Sequence, residues 1–171
     1  MRLVIVGASG RMGLAIARVA VETAQLQIVG AVDRAEATGY GRDIGELAGV
    51  AAQGVKIGSD LSAALAHADV MIDFSAPSAT AGNLAAAAAA GVAVLVGTTG
   101  LDAQTQAAAA AASQRVPVIV AANTSLGVTL LIELVRAAAH ALPDDFDIEI
   151  VEGHHRHKKD APSGTALALG R

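Results

Sequence analysis

Arg2-Leu-Val-Ile-Val-Gly-Ala-Ser-Gly-Arg-Met-Gly13 is the stretch that decides the fold. Its apolar part, Leu3 to Val6, is short and β-branched, as expected of a strand buried on both faces. Apolar residues then recur at helical spacing, at Met12, Ile16, Val19 and Ala20. Glycines at positions 7, 10 and 13 lie at the joint, where a tight turn and a close backbone approach both favour a residue without Cβ. The stretch therefore predicts a strand, a tight turn and a helix.

The next apolar run ends in an acidic residue at an informative distance. Leu26 to Val32 is followed by Asp33, about 20 residues beyond Gly13, where a carboxylate can accept hydrogen bonds from an adenosine ribose. The amides that open the first helix can bind phosphate. The glycine spacing is a variant of G-x-G-x-x-G, since Ala8 replaces the first glycine and Gly7 precedes it. This order of features favours dinucleotide binding over a purely structural βαβ unit.

Arg34 leaves the choice of nucleotide open. Asp33 disfavours a 2′-phosphate, whereas the Arg34 guanidinium can attract one or remain a solvated loop charge. NADH is the expected cofactor, and use of both NADH and NADPH is the alternative.

Composition excludes several classes of function. A net charge of −4 and a pI near 5.6 argue against a nucleic-acid partner or an anionic membrane surface, and the absence of cysteine removes disulfides and thiolate chemistry. The N-terminal apolar run stops at Gly7, before it reaches the length of a signal peptide. The uncharged stretch from Phe74 to Leu101 contains Pro77, Gly82 and Gly91 and is rich in alanine, so no membrane span is expected. These features predict a cytoplasmic, soluble protein.

Two alanine-rich segments each lead into a β-branched run. Pro77 to Ala90 precedes Val92 to Val96, and a helix capped by Asp102 precedes Val116 to Ala121. Helices alternating with buried strands predict an α/β fold, a Rossmann-type doubly wound parallel sheet.

Small polar residues follow three of the predicted strands. The segments are Asp73-Phe74-Ser75, Gly97-Thr98-Thr99-Gly100 and Ala122-Asn123-Thr124-Ser125. Such residues can simply cap the helices that follow, but ligands of open α/β sheets bind at the carboxyl ends of strands. The three segments together predict a rim that binds nicotinamide and ribose.

The last third of the chain changes character. Gly127 to Leu142 is a long, mostly apolar helix, expected to be buried at a domain junction. Asp147 to Glu152 alternates in polarity, which predicts a half-exposed strand of a second, more open sheet. We therefore expect a dinucleotide-binding domain over residues 1–125 and the start of an α+β substrate domain over residues 126–171.

The segment Glu152-Gly-His-His-Arg-His-Lys-Lys-Asp-Ala-Pro-Ser-Gly-Thr165 holds the densest cluster of titratable side chains. A solvated basic loop is one interpretation. A metal site is disfavoured, because Arg and Lys are interleaved with the histidines and would repel a cation. A pocket for an anionic substrate explains more, because cations attract carboxylates and histidine transfers protons near neutral pH.

These motifs together resemble those of the dihydrodipicolinate reductase family. The resemblance rests on the glycine turn with Asp33, on Gly97-Thr-Thr-Gly100, on Asn123-Thr-Ser-Leu-Gly-Val128 and above all on Glu152 to Leu167. It covers the whole chain in order, although family members are longer and this chain stops just after the last motif. It implies reduction of 4-hydroxy-tetrahydrodipicolinate in lysine and diaminopimelate biosynthesis, with a small dicarboxylate substrate and a homotetramer at full length. It also implies that this chain by itself has little activity.

The resemblance also implies roles for individual residues. His154 would transfer a proton and Lys158 would supply a second, while His155, Gly164 and Thr165 would hold the dicarboxylate. No metal is implied. Thr124 stands where the family often has an aromatic residue, so backbone contacts rather than ring stacking are expected there. Contacts with the nucleotide are implied for Gly7, Ala8, Ser9, Gly10, Arg11, Met12, Asp33, Arg34, Gly97, Thr98, Thr99, Ala121, Ala122, Asn123 and Thr124.

Two other functions compete. A different nicotinamide-dependent dehydrogenase of amino-acid metabolism would share the glycine turn but would not need the His-His-Arg-His-Lys cluster. A non-catalytic nucleotide-binding module would bind NADH and ignore a dicarboxylate.

Overall fold

The computed structural model describes residues 1–121, 123–143, 145–154, 156 and 161–170. The chain forms two compact units, Met1–Ala121 and Ala122–Arg171. The first unit contains β1 (Arg2–Val6), α1 (Arg11–Glu22), β2 (Gln27–Val32), α2 (Ile44–Ala48), β3 (Ile57–Gly58), α3 (Leu61–Leu65), β4 (Val70–Asp73), α4 (Pro77–Ala90), β5 (Ala93–Val96), α5 (Ala103–Ser113) and β6 (Val118–Val120). The second contains α6 (Leu126–Ala141) and α7 (Gly164–Leu169).

The six strands form one parallel sheet in the order β3-β2-β1-β4-β5-β6. This confirms the predicted doubly wound, Rossmann-type fold. The chain winds outward from β1 in one direction and then returns to place β4 on the other side of β1. The strand order therefore reverses between β1 and β4, and a crevice opens there at the carboxyl ends of the strands.

Both faces of the sheet are covered, and alternate residues of β1 point to opposite sides. Leu3 and Ile5 belong to one buried cluster, which α1 and α2 complete. Val4 and Val6 belong to the other, with residues of α3, α4 and α5. A strand buried on both faces must be apolar throughout, which explains the short β-branched run that the sequence shows.

Local signals set several element boundaries as predicted. Pro77 begins α4, and Gly91 ends it in the left-handed conformation at φ 71°. Asp102 caps α5, since its carboxylate accepts the Thr105 amide at 2.7 Å. Asp43 caps α2 in the same way, within a segment that the sequence predicts as a loop with at most one helical turn.

The buried face of α1 contains smaller residues than its apolar periodicity suggests. Met12 and Val19 are exposed, whereas Gly13, Ala17 and Ala20 are buried. The helix lies so close to the sheet that its fully buried positions hold its smallest residues, while Leu14 and Ile16 pack partly buried against the same cluster.

Two predictions for the second unit are wrong. Asp147 to Glu152 forms no strand, because no segment among the described residues pairs with it. A strand needs a hydrogen-bonded neighbour, and alternation of polarity cannot supply one. The expected burial of α6 is not observed either: no residue of this helix is buried, and Leu126 and Leu130 are prominently exposed. None of the helices in the described ranges combines the length and apolar character needed to cross a membrane.

Substitution of Gly13 by alanine should destabilise the protein. A Cβ at this position would lie 2.4 Å from the Gly7 carbonyl oxygen and 2.6 Å from that of Ala8, so backbone atoms would have to move. We expect a loss of about 1–3 kcal/mol, measured by denaturant unfolding. Gly82→Ala is the matched control, since a Cβ there meets no atom within 4 Å and should stabilise α4 by about 0.5–1 kcal/mol. Equal effects of the two substitutions would contradict the close approach of α1.

The ion pair between Arg2 and Asp69 should make stability depend on acidity. The Arg2 side chain and backbone amide donate hydrogen bonds to the Asp69 carboxylate, which lowers the pKa of Asp69 to about 2. A depressed pKa stabilises the fold above the ordinary pKa of about 4, and this contribution disappears as the pH falls towards 2. Asp69→Asn should therefore melt below the unmodified protein at pH 7, with a difference that shrinks between pH 4 and pH 2. A difference that stays constant over this range would exclude the ion pair as its cause.

Candidate functional site

The turn after β1 is built from backbone contacts. Gly7 has φ 75°, and the amides of Gly7 and Ala8 both donate to the Val32 carbonyl, at 2.9 and 3.1 Å. The Gly10 amide donates back to the Gly7 carbonyl at 3.0 Å. A Cβ on Gly7 would lie 2.4 Å from the Phe74 carbonyl oxygen, so the turns after β1 and β4 are in direct contact.

The first turn of α1 is suited to an anion. Gly10 is the N-cap, and within this fully described part of the chain no side chain caps the helix and no acidic residue lies in its first turn. The amides of Arg11 and Met12 therefore have no helical acceptor, and the helix dipole leaves them partly positive. A helix N-terminus of this kind binds phosphate groups.

Asp33 is fixed beside this turn. One of its carboxylate oxygens, Oδ2, accepts hydrogen bonds from the amide of Ser9, at 2.9 Å, and from the Ser9 hydroxyl. The other, Oδ1, accepts the Arg34 amide at 2.9 Å. The carboxylate thus sits where the sequence predicts the ribose acceptor to be.

A cleft of about 800 Å³ opens between the turns after β1, β2 and β4. Its volume lies within the range of small-molecule sites. The residues that line it include Gly7, Ser9, Gly10, Asp33, Arg34, Glu36, Thr38, Ser59, Phe74, Ser75, Ala76 and Asn83.

Of the three residues after β5 that are predicted to contact the nucleotide, two are buried and one is exposed. Thr98 is buried, and its hydroxyl lies 3.3 Å from the Asp73 carbonyl oxygen and 3.4 Å from one of its carboxylate oxygens. Gly97 packs under the Phe74 ring, where a Cβ would not fit. Thr99, in contrast, is exposed to solvent.

After β6, the Ala121 amide donates to the Val96 carbonyl at 2.9 Å. Ala122 lies outside the described residues. Asn123 begins the second unit, where its side-chain oxygen accepts the Ser125 amide at 2.8 Å and so shapes the turn before α6. Thr124 is exposed.

In the second unit, Glu152 joins two parts of the basic motif. Its Oε1 accepts the buried Ser163 amide at 2.8 Å, and its Oε2 lies 3.3 Å from His154 Nδ1. Because the carboxylate contacts both residues, it holds the imidazole near the start of α7.

The Ser163 hydroxyl caps α7 by accepting the Ala166 amide at 3.1 Å. The amides of Gly164 and Thr165 open the helix and precede its first internal hydrogen bond. His155 and Lys158, which the sequence also places in the substrate site, lie outside the described residues.

Sequence reasoning placed Ser75 on the predicted rim but missed Asn83, which also lines the cleft. Asn83 is the only amide side chain within the alanine-rich helix α4, and a lone amide facing a strand end is a signal that could have found it. Its side chain donates to Asp73 at 3.0 Å and to the Ser75 hydroxyl at 3.2 Å.

Two family models match the chain in succession. The model described as "Dihydrodipicolinate reductase, N-terminus" matches residues 1–124, and the model described as "Dihydrodipicolinate reductase, C-terminus" matches residues 127–171. Together they account for nearly the whole chain.

Individual relatives of known name belong to the same family as these two models. The protein from Alkalilimnicola ehrlichii named 4-hydroxy-tetrahydrodipicolinate reductase is 51% identical over 170 residues, which cover 99% of this chain and 64% of that protein. The chain thus spans less than two thirds of this relative's length. The solved structure of a dipicolinate-bound dihydrodipicolinate reductase from Paenisporosarcina sp. TG-14 has a TM-score of 0.74 at 29% identity and covers 99% of this chain and 63% of that one. The structure of GenD2 from gentamicin A biosynthesis in complex with NAD has a TM-score of 0.58 at 25% identity, over 79% of this chain and 38% of that one.

Replacement of Asp33 by alanine should weaken binding of NADH about tenfold, because the ribose hydroxyls lose their acceptor. NADPH should lose less, since its 2′-phosphate no longer meets a carboxylate. Fluorescence titration with each nucleotide measures both effects. Asp102→Ala, which removes a carboxylate that caps α5 outside the cleft, is the control and should leave both affinities unchanged. Equal losses for both nucleotides would contradict the ribose contact.

Proposed function

The chain belongs to the dihydrodipicolinate reductase family, and on that premise we propose that it contributes the cofactor site and the proton-transfer motif of a 4-hydroxy-tetrahydrodipicolinate reductase. The reaction converts 4-hydroxy-tetrahydrodipicolinate to tetrahydrodipicolinate, with oxidation of NADH or NADPH and release of water, in lysine and diaminopimelate biosynthesis. The observation that carries the proposal is the succession of both family models along one chain.

The residues of the first unit fit a nicotinamide dinucleotide. The uncapped amides at the start of α1 would bind the pyrophosphate, and Asp33 would accept the hydroxyls of the adenosine ribose. Arg34 lines the same cleft and would attract a 2′-phosphate, so we propose NADH first and NADPH as the alternative. Thr99 would lie on the nicotinamide side. Asn123, which belongs to the second unit, would also contact the nucleotide. The bound reduced nicotinamide would supply the hydride.

The basic motif of the second unit would supply protons and bind the dicarboxylate. Loss of a proton from the carbon adjacent to C4 and departure of the 4-hydroxyl as water would create a carbon–carbon double bond conjugated to the ring imine. Hydride from the reduced nicotinamide would then be delivered to C4, and His154 would return a proton to the adjacent carbon. Lys158 would protonate the departing hydroxyl or offset the developing charge. His155 and the amides of Gly164 and Thr165 would bind the carboxylates. Such a role agrees with the dipicolinate, itself a dicarboxylate, that is bound to the Paenisporosarcina reductase.

The proposal also includes the domain boundaries, the oligomeric state and the cellular location of the complete enzyme. Residues 1–125 would form the cofactor domain and residues 126–171 the beginning of the substrate domain. The complete enzyme would be a cytoplasmic homotetramer. The exposed apolar side chains of α6, Leu126 and Leu130 among them, are consistent with a surface that an assembled enzyme covers.

The function is tested by titrating the NADH-bound chain with pyridine-2,6-dicarboxylate, a planar dicarboxylate. A reductase site should bind it, and bound NADH should show a saturable fluorescence change. Pyridine-3,5-dicarboxylate is the matched control, because it has the same charge with the carboxylates in the wrong places. A chain that binds NADH but responds to neither compound, or equally to both, would contradict the proposal and favour a non-catalytic module or a different dehydrogenase.

The proposed proton donors can be separated from the substrate-binding residues by kinetics in the full-length enzyme. His154→Gln and Lys158→Met should lower kcat by about 10²–10⁴, the usual contribution of a positioned acid or base. His155→Ala should mainly raise KM, because it removes a contact with a carboxylate. Nearly normal kcat in the His154 variant would remove it from the proton-transfer role.

A further inference from the structure

Asp73 is the buried carboxylate nearest to the reversal of the strand order. It ends β4, directly beside β1, and its exposed fraction is 0%. Burying a carboxylate costs free energy unless its oxygens find donors. Here Oδ1 accepts the Ser75 amide at 2.8 Å and lies 3.4 Å from the Thr98 hydroxyl, while Oδ2 accepts the Asn83 amide group at 3.0 Å.

The three donors come from three separate parts of the first unit. Ser75 belongs to the turn after β4, Thr98 follows β5, and Asn83 projects from the second turn of α4. Asn83 also donates to the Ser75 hydroxyl at 3.2 Å. One carboxylate therefore ties together segments that the sheet alone does not hold in register.

Two of these donors belong to the wall of the cleft. Ser75 and Asn83 line it on the side opposite Asp33, and Phe74 between Asp73 and Ser75 touches Gly7 through its carbonyl. The two turns are already in close contact. A shift of the turn after β4 would therefore either change the width of the cleft or clash with the glycine turn.

We propose that Asp73 is a positioning residue for cofactor binding, which fixes the wall of the cleft opposite Asp33 by holding Ser75, Thr98 and Asn83 in place. This role rests on the proposed function as far as the cofactor is concerned, but not on the identity of the substrate. A cleft whose wall is already ordered binds a ligand more tightly, because the side chains of the wall lose little conformational entropy on binding.

A purely structural role for Asp73 makes a different prediction. In that case its loss would lower the stability of the chain, and the folded fraction would bind NADH as before. The affinity of the folded protein for NADH therefore separates the two roles, whereas the melting temperature does not.

The test compares substitutions in the 171-residue chain by titration with NADH and by thermal melting. Asp73→Ala removes both acceptor oxygens and should raise Kd for NADH about tenfold, equivalent to about 1.4 kcal/mol. Asp73→Asn should stay close to the unmodified Kd: its side-chain oxygen can accept from Ser75 and Thr98, and its amino group can donate to Asn83 once that amide turns over.

Thr80→Val is the matched control for loss of a buried polar group. Thr80 is fully buried in α4, but its hydroxyl bonds to the Ala76 carbonyl, at 3.3 Å, and not to Asp73. This variant should lose stability and keep its Kd. If Asp73→Ala does not fold, Asn83→Ala takes its place, since it cuts the contact with Oδ2 and puts a strong helix former in α4; Kd should then rise about threefold to fivefold.

Each outcome decides the matter. An unchanged Kd in Asp73→Ala, or in Asn83→Ala where that variant replaces it, would overturn the positioning role. A Kd for Asp73→Asn as high as that of Asp73→Ala would overturn the hydrogen-bonding explanation of it. Failure of the unmodified chain to bind NADH would instead refute the proposed function.

Discussion

Backbone contact within the glycine turn is the constraint on which the rest of the first unit depends. The Gly13 Cα faces the carbonyls of Gly7 and Ala8 so closely that no side chain fits between them, and Gly7 touches the turn after β4 in the same way. These two approaches fix how near α1 lies to β1 and how near β1 lies to the turn after β4. The position of the cleft follows from both.

The cleft combines this geometry with an uneven distribution of charge. The start of α1 carries unpaired amides and no acidic side chain, while Asp33 is held a short distance away by Ser9 and Arg34. A ligand that carries phosphates in its middle and hydroxyls at one end complements this pattern. The acidic net charge of the chain is compatible with it, because the attraction is local and comes from the helix and not from a basic surface.

Sequence patterns predicted well wherever local chemistry decides the structure. Pro77 and Gly91 bound α4, and Asp102 begins α5, because each acts within a single turn of the chain. The parallel, doubly wound sheet also followed from the alternation of helices and apolar runs. Prediction failed where a distant partner decides. The segment from Asp147 to Glu152 has the alternation of a strand, but no strand among the described residues pairs with it.

The location of Asp33 beside the glycine turn was predictable, because its distance from the glycines is characteristic. Its contact with a ribose stays a prediction. The contacts of Asp73 could not be foreseen, because its partners Asn83 and Thr98 are 10 and 25 residues away along the chain. Met12 and Val19 belong to the apolar periodicity of α1 but are exposed, whereas the small residues Gly13 and Ala17 are buried, which periodicity alone could not indicate.

The central claim, that the glycine turn and Asp33 bind a nicotinamide dinucleotide, is tested most directly by ¹⁵N NMR of the 16.9 kDa chain during titration with NADH. The account predicts that the largest amide shifts cluster at Ser9 to Met12, at Arg34 and at Ser75, around one cleft. Shifts that are absent there, or that are concentrated in parts of the first unit remote from the cleft, would contradict it.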